Sequence, residues 1–117
     1  VLPGCLLGAD NLRNNQQLQD MLVQQQQRGA DLAAICAAPR ALEASGMLDD
    51  RTVTCYPGAL DDLDNPRIRV SGHAVEIDGN IVTSRGPGTA MDFALTLIER
   101  LGGKTLRDQI SNQLARH

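Results

Sequence analysis

Apolar residues recur along this chain with two different spacings. Leu18, Met21 and Leu22 are separated by three and four positions, Leu12 precedes them, and the rest of residues 10–28 is polar, Gln24 to Gln27 included. With Gly29 just past its end, this stretch predicts one amphipathic surface helix with a glycine C-cap and a solvent-facing polar side. Residues 32–36 form a short continuous apolar run, as expected of a strand buried on both faces of a parallel sheet. It passes directly into a small-residue helix over 37–45, with Pro39 in the first turn and Gly46 beyond the end. Thr52-Val53-Thr54 predicts a further strand, followed by an irregular stretch of Asp, Asn and Pro through Pro66.

Val75-Glu76-Ile77 and Ile81-Val82-Thr83 flank Asp78-Gly79-Asn80, a hairpin signal of the type I′ kind. After Gly86-Pro87-Gly88 a long helix is expected. Thr89 and Asp92 would form its capping box, and Phe93, Leu97 and Leu101 its buried stripe. Gly102-Gly103 ends it, and residues 104–116 predict a last helix with Leu106, Ile110 and Leu114 on one face. Strands alternating with helices, plus one hairpin and no internal repeat, point to a three-layer α/β domain.

The start of the chain adds to this. Val1-Leu2-Pro3-Gly4 reads as the end of a buried strand running into a turn, and strands usually need about five residues. The expectation is a single domain over 1–117 that is the C-terminal portion of a larger one, with earlier strands and helices absent; the alternative is a short edge strand in a processed protein.

Composition narrows the function classes. At 117 residues, 42% hydrophobic and 21% charged, the chain has the profile of a globular domain. Aromatic content is 2%, only Tyr56 and Phe93, so the core must be built from many small contacts, and stacking readers of single-stranded nucleic acid are excluded. A net charge of −3 supplies no basic field for a phosphate backbone. No apolar run approaches the roughly 20 residues of a membrane span and no leader pattern is present, so the default expectation is a cytoplasmic protein. Cys5, Cys36 and Cys55 are odd in number and lack zinc spacing, arguing against a disulfide framework and a structural metal.

Cys36 carries the strongest chemical signal. Ala34 and Ala38 flank it in the small-x-nucleophile-x-small pattern of a nucleophile elbow, where a strand turns so sharply into a helix that larger neighbours clash. The turn would project the sulfur over the carboxyl edge of the sheet. First-turn N–H groups of the following helix would favour the thiolate and donate to a developing oxyanion. The plainer alternative is a small buried cysteine at a strand end; the alanines and Pro39 favour a reactive thiol. Other candidates carry less. Arg85-Gly86-Pro87-Gly88-Thr89 could cradle a phosphate but lacks the P-loop lysine, so a capped turn is preferred and no cofactor is expected. His73 has no partner readable from sequence. Asp61, Asp62 and Asp64 lack the glycine and glutamate of a calcium loop and read as a solvated acidic loop, and Cys55 reads as structural.

Four segments together resemble the DJ-1/ThiJ/PfpI family, its DJ-1-like branch in particular: Val1-Leu2-Pro3-Gly4, Leu7-Gly8-Ala9-Asp10-Asn11-Leu12, Ala33-Ala34-Ile35-Cys36-Ala37-Ala38-Pro39, and residues 78–90 from Asp78-Gly79-Asn80 to Gly88-Thr89-Ala90. The resemblance implies a flavodoxin-like three-layer α/β/α sandwich with a mostly parallel sheet. It also implies a homodimer and a glutathione-independent glyoxalase or deglycase acting on methylglyoxal or glycated substrates. The alternative it carries is a redox-sensing, chaperone-like protein in which Cys36 is oxidised, or an inactive fragment. By the resemblance Cys36 is the nucleophile, and the backbone N–H groups of Cys5 and Ala37 form the oxyanion site, with Gly4, Tyr56 and Pro57 in support. The chain departs from the family pattern in three ways. The family's acid–base glutamate lies N-terminal to the matched segments, and its glycine pair is here Gly4-Cys5. Tyr56-Pro57 stands where some members have histidine before the proline, and tyrosine donates a hydrogen bond but is a poor base at neutral pH. The resemblance places Cys5 beside the elbow, where it could resolve a sulfenic acid on Cys36 into a disulfide.

Overall fold

The structure, a computed structural model, describes residues 1–2 and 6–114, with the side chains of residues 6 and 7 left aside. In chain order the elements are α1 (Leu6–Arg13), α2 (Gln16–Gln27), β1 (Leu32–Ile35), α3 (Pro39–Glu43), β2 (Thr52–Val53), β3 (Arg69–Val70), β4 (Val75–Asp78), β5 (Ile81–Ser84), α4 (Ala90–Gly102) and α5 (Lys104–Gln113). Turns of 3-10 helix lie at Asp61–Leu63 and Pro87–Thr89.

The main sheet has the order β1-β5-β4. β1 and β5 are parallel, with Leu32 opposite Ile81 and Ala33 opposite Val82, while β4 and β5 form the antiparallel hairpin. Leu2 adds a parallel bridge to Ala34: its N–H donates to Ala33 O at 2.7 Å and its carbonyl accepts from the Ile35 N–H at 3.1 Å. The strand end expected at Val1-Leu2 is thus represented by that bridge. β2 and β3 form a separate short parallel pair, and β3 has no counterpart in the sequence expectation.

Alternation along the strands separates the two faces of the sheet. Leu32, Ala34 and Ile81 pack with Ala9, Leu22, Ala37, Ala38, Ala41 and Leu42 from the α1–α3 side. Ala33 and Val82 pack against Phe93 of α4 on the other. Helices on both faces of a mixed sheet make the three-layer α/β/α architecture that the sequence predicts.

The single helix expected over 10–28 is two helices. Asn15 ends the continuity because its side chain accepts from the Leu18 N–H at 3.0 Å and caps α2. Gln19, expected among the solvated polar residues, is buried: its Nε2 donates to Ala41 O at 2.9 Å and its Oε1 accepts from Ser45 Oγ at 2.6 Å. The hairpin forms as predicted, but with positive φ at Gly79 and not at Asn80, the II′ rather than the I′ pattern. Thr89 stands at the N-cap of α4, but its side chain makes no capping hydrogen bond to that helix. Its Oγ1 accepts from the Gly86 N–H at 3.0 Å and lies 2.7 Å from Ser84 Oγ, so the 85–89 segment is a turn closed on itself.

Phe93 and Leu95 are the buried residues of α4, whereas Leu101, expected in the stripe, is 85% exposed. Near Leu101 the helix is held by charge instead. Arg100 Nε and Nη2 donate to the two Asp31 oxygens at 3.0 and 2.8 Å, and this pairing holds the Asp31 carboxyl below its usual range. No helix among the described residues is long and apolar enough to cross a membrane.

The two positions give a contrast in stability. Leu42→Ala, at a fully buried site, is expected to cost about 2–5 kcal/mol, and Leu101→Ala less than about 0.5 kcal/mol, in urea unfolding. Equal losses would contradict the placement of the core.

Candidate functional site

The apolar run predicted as a strand through residue 36 stops one residue earlier, because Cys36 has φ +66°. That is left-handed backbone, uncommon for any residue but glycine, and it turns the chain out of the sheet at once. Both backbone groups of Cys36 are used: its N–H donates to Ser84 O at 3.0 Å, and its carbonyl accepts from the Tyr56 N–H at 2.8 Å. The elbow is therefore joined to the end of β5 and to the loop after β2.

The helix after the elbow is shorter than predicted, beginning at Pro39 and running five residues. Much of the amide set expected to face the thiol is consumed within the turn, since Ala38 N–H donates to Ile35 O and Arg40 N–H to Ala37 O, both at 3.1 Å, and Pro39 has no N–H. The neighbours leave room only for small side chains: Ala34, Ala38 and Ala41 have no exposed surface and Ala37 has 3%.

Cys36 lines a cavity of about 660 Å³. Ala37 lines it too, and the loop from Tyr56 to Asp62 forms the facing wall through Tyr56, Pro57, Gly58 and Ala59. Asp10, Asp61, Asp62 and Arg40 supply its charge. Four of the residues selected from sequence, Cys36, Ala37, Tyr56 and Pro57, are thus brought together. Gly4 and Cys5 lie outside the described residues, and so does the proposed Cys5–Cys36 pairing. Tyr56 is half exposed, and a Cβ on Gly86 would lie 3.5 Å from its ring. Cys55 is buried, and desolvation pushes its thiol up, partly offset by the Leu60 and Ala59 amides.

Sequence reasoning missed Arg40. It stands four residues after the nucleophile candidate, within the apolar stretch Ala37-Ala38-Pro39-Arg40-Ala41-Leu42, and is buried. Its Nε donates to Asp10 Oδ1 at 2.9 Å, its Nη1 to Ala59 O at 2.8 Å and to Asp62 Oδ1, and its Nη2 to Asp62 Oδ2 at 3.1 Å. The readable signal was a lone charge in a small-residue apolar stretch, which requires partners if buried. Asp61, Asp62 and Asp64 are exposed, as expected of a solvated acidic loop, and Asp62 is in addition the forked partner of Arg40. The bond to Asp62 raises the Arg40 pKa further above its usual value, and the bond to Arg40 lowers that of Asp62. His73 also has a partner: its Nδ1 lies 2.5 Å from Glu76 Oε1, which accepts from Ser71 Oγ at 3.1 Å, away from the cavity.

A sequence model of the DJ-1/PfpI family matches residues 1–100. The chain belongs to the DJ-1/PfpI family. Among DJ-1 relatives, the Parkinson disease protein 7 homolog of Danio rerio is 44% identical over 115 residues, which is 97% of this chain and 61% of that protein. The glutathione-independent glyoxalase DJR-1.2 of Caenorhabditis elegans is 35% identical over 101 residues, covering 86% of this chain and 52% of that protein. The crystal structure of Drosophila melanogaster DJ-1beta superposes with a TM-score of 0.90 at 34% identity, covering 97% of this chain and 61% of that one. The chain thus spans about three-fifths of the length of these DJ-1 proteins of Danio rerio and Drosophila melanogaster. The flavodoxin-like fold expected from the resemblance is that of this family.

Two measurements check the site's physics. The left-handed backbone makes Cys36→Gly more stable than Cys36→Ala by roughly 1 kcal/mol in denaturant unfolding; an alanine variant of equal or greater stability would contradict φ +66°. A carboxyl lowered in the fold stabilises above its unfolded value and loses that contribution as pH falls through the folded one. Asp62, lowered from 3.8, should therefore make the native chain lose stability more steeply than Asp62→Asn below about pH 4, with a constant difference near neutrality. Parallel curves down the whole acid limb would contradict the pairing.

Proposed function

We propose that this DJ-1/PfpI chain carries the nucleophile of a glyoxalase or deglycase acting on methylglyoxal or its adducts, with Cys36 as that nucleophile. One observation carries the proposal: the family's strand-end cysteine stands at a left-handed turn against an open cavity, with its backbone held on both sides. A rigidly placed thiolate is what addition to a small carbonyl requires, since the substrate offers few atoms with which to orient itself.

In the first step the sulfur forms a bond to the aldehyde carbon, and the carbonyl π pair moves onto oxygen. The Ala37 amide, the one not used within the turn, would donate to that oxygen, together with the Cys5 amide that the resemblance implies. Protonation gives a hemithioacetal. Moving the aldehyde hydrogen, as a proton, from the first carbon to the second and the electron pair with it oxidises the first carbon and reduces the second. Water then releases the thiol and a hydroxy acid, so no outside oxidant is consumed. Tyr56, on the cavity wall, supplies a hydroxyl donor, and Pro57 shapes the wall beside it. A small dicarbonyl substrate and a homodimeric assembly belong to the same proposal.

A second reading is favoured by the ionisable groups of the cavity. Among the described residues lining it there is no histidine or glutamate. Two-electron oxidation needs less: a peroxide forms an S–O bond with the thiolate as its O–O bond breaks, and water or an alcohol leaves. In that case Cys36 senses rather than turns over.

Methylglyoxal consumption by the full-length protein and its Cys36→Ser variant decides between them. The expected loss in the variant is about a hundredfold or more. A variant with the full rate would remove the catalytic proposal. Negligible turnover by both, with peroxide-dependent suppression of client aggregation that disappears in Cys36→Ser, would establish the second.

A further inference from the structure

We propose that Arg40 is a positioning residue for the Cys36 cavity, holding the loop that carries Tyr56 and Pro57 at a set distance from the thiol. The inference rests on the preceding proposal for the identity of the working thiol, and extends it to a residue for which no role has been assigned.

Three separate stretches of chain meet at this side chain. Nε bonds Asp10 of α1 at 2.9 Å, Nη1 bonds the Ala59 carbonyl at 2.8 Å, and Nη1 and Nη2 together grip the Asp62 carboxylate. Arg40 itself lies in α3, directly after the elbow, so the guanidinium connects the segment bearing the nucleophile to the wall opposite it. The near end of that wall is held by the 2.8 Å bond from the Tyr56 N–H to Cys36 O. The far end, at Ala59 and Asp62, is held by Arg40. Between these anchors the loop closes on itself, with Ala59 N–H donating to Tyr56 O at 2.9 Å and Asp61 N–H to Gly58 O at 3.1 Å. Its placement therefore depends strongly on its two ends.

Positioning, and not substrate binding, is the role the bonds allow. The Arg40 side chain is 7% exposed and its fork is filled by two aspartates and a carbonyl, so no edge is presented to an incoming carboxylate. Lysine could not replace it, because a single ammonium cannot face Asp10, Ala59 and both Asp62 oxygens along the separate directions that the planar guanidinium serves. Asp62, by contrast, is 67% exposed, so its substitution is expected to leave the core closed.

The test compares full-length protein with Arg40→Met, Arg40→Lys and Asp62→Asn. Alkylation of Cys36 by iodoacetamide and by the bulkier pyrenylmaleimide is followed by peptide mapping, which separates it from Cys5 and Cys55. The expected result is a fall of at least fivefold in the small-to-large rate ratio at Cys36 for Arg40→Met. Arg40→Lys should lie close to it, and Asp62→Asn should move in the same direction by a smaller factor. Buried Cys55, whose sulfur is held by the Ala59 and Leu60 amides, reports release of the same loop. A merely structural role would leave the ratio at Cys36 unchanged, which would overturn the proposal. If Arg40→Met does not fold, the ratios in Arg40→Lys and Asp62→Asn decide by the same criterion. Methylglyoxal turnover is measured alongside, where kcat should fall about tenfold in Arg40→Met with KM within about twofold, as misplacement of a wall predicts. An unchanged kcat would also overturn the proposal. Absence of turnover in the unsubstituted protein would remove the glyoxalase proposal and leave Arg40 to be judged by the alkylation ratio.

Discussion

Between Ile35 and Pro39 the chain must leave a strand packed on both faces and return as a helix over one of them, and it does so through a single residue at φ +66°. Such a turn cannot be held by one local hydrogen bond. Its geometry is fixed from outside, by the Ser84 carbonyl that ends β5 and by the Tyr56 amide that starts the facing loop. The first bond makes the elbow an extension of the sheet ladder. The second fixes where the cavity's opposite wall begins. Strain of this kind persists only where the surroundings over-determine the conformation, and here two long-range bonds and a layer of alanines do so.

Those alanines connect the site to the composition. With side chains no larger than a methyl at 34, 37, 38 and 41, α3 can lie close against β1, and the bulk of that core comes from Leu42, Leu48, Val53 and Ile81. Aromatic rings are not needed there. Phe93 fills the opposite face, and Tyr56 lines the cavity. The same close packing puts Arg40 in an environment where an unpaired guanidinium would be very costly, so Asp10, Asp62 and the Ala59 carbonyl are drawn to it. A buried charge within a small-residue core thus organises the loops around the cavity, which an aliphatic residue of equal volume would not do.

Much of this was legible in the sequence where one local cause dominates. The run at 32–36, the Gly79 turn between β4 and β5, and the alanines beside Cys36 each express a requirement of their own backbone or packing, and β1, the hairpin and the elbow followed. The misreadings fall where the deciding partner is distant. Gln19 reads as surface until Ala41 and Ser45 are seen to bond it, and Asp62, exposed as expected, carries no local sign of its pairing with Arg40, 22 residues upstream. Leu101 matches the helical period of Phe93 and Leu97, but periodicity says nothing of whether anything lies opposite the last turn. The break at Asn15 was readable in principle, since asparagine caps helices well, but the apolar spacing across it hid the interruption.

The pairing around Arg40 also bears on the proton that carbonyl addition requires. A general acid must hold its proton at the working pH and release it to the developing alkoxide. Asp62 is unsuited to this, because the guanidinium that fixes its position also stabilises its ionised form. Asp10 spends an oxygen on the same guanidinium. What makes the Asp62 carboxylate a good strut makes it a poor proton donor, so positioning and acid catalysis fall to different groups. Of the described side chains lining the cavity outside the Arg40 network, Tyr56 carries a hydroxyl donor and Asp61 a carboxyl. A neutral phenol donates a hydrogen bond and does not take up a proton, so its use would restrict Tyr56 to supporting the oxyanion. Abstraction of the carbon-bound hydrogen therefore demands a base other than Tyr56, so the elbow and that base are separate requirements of turnover.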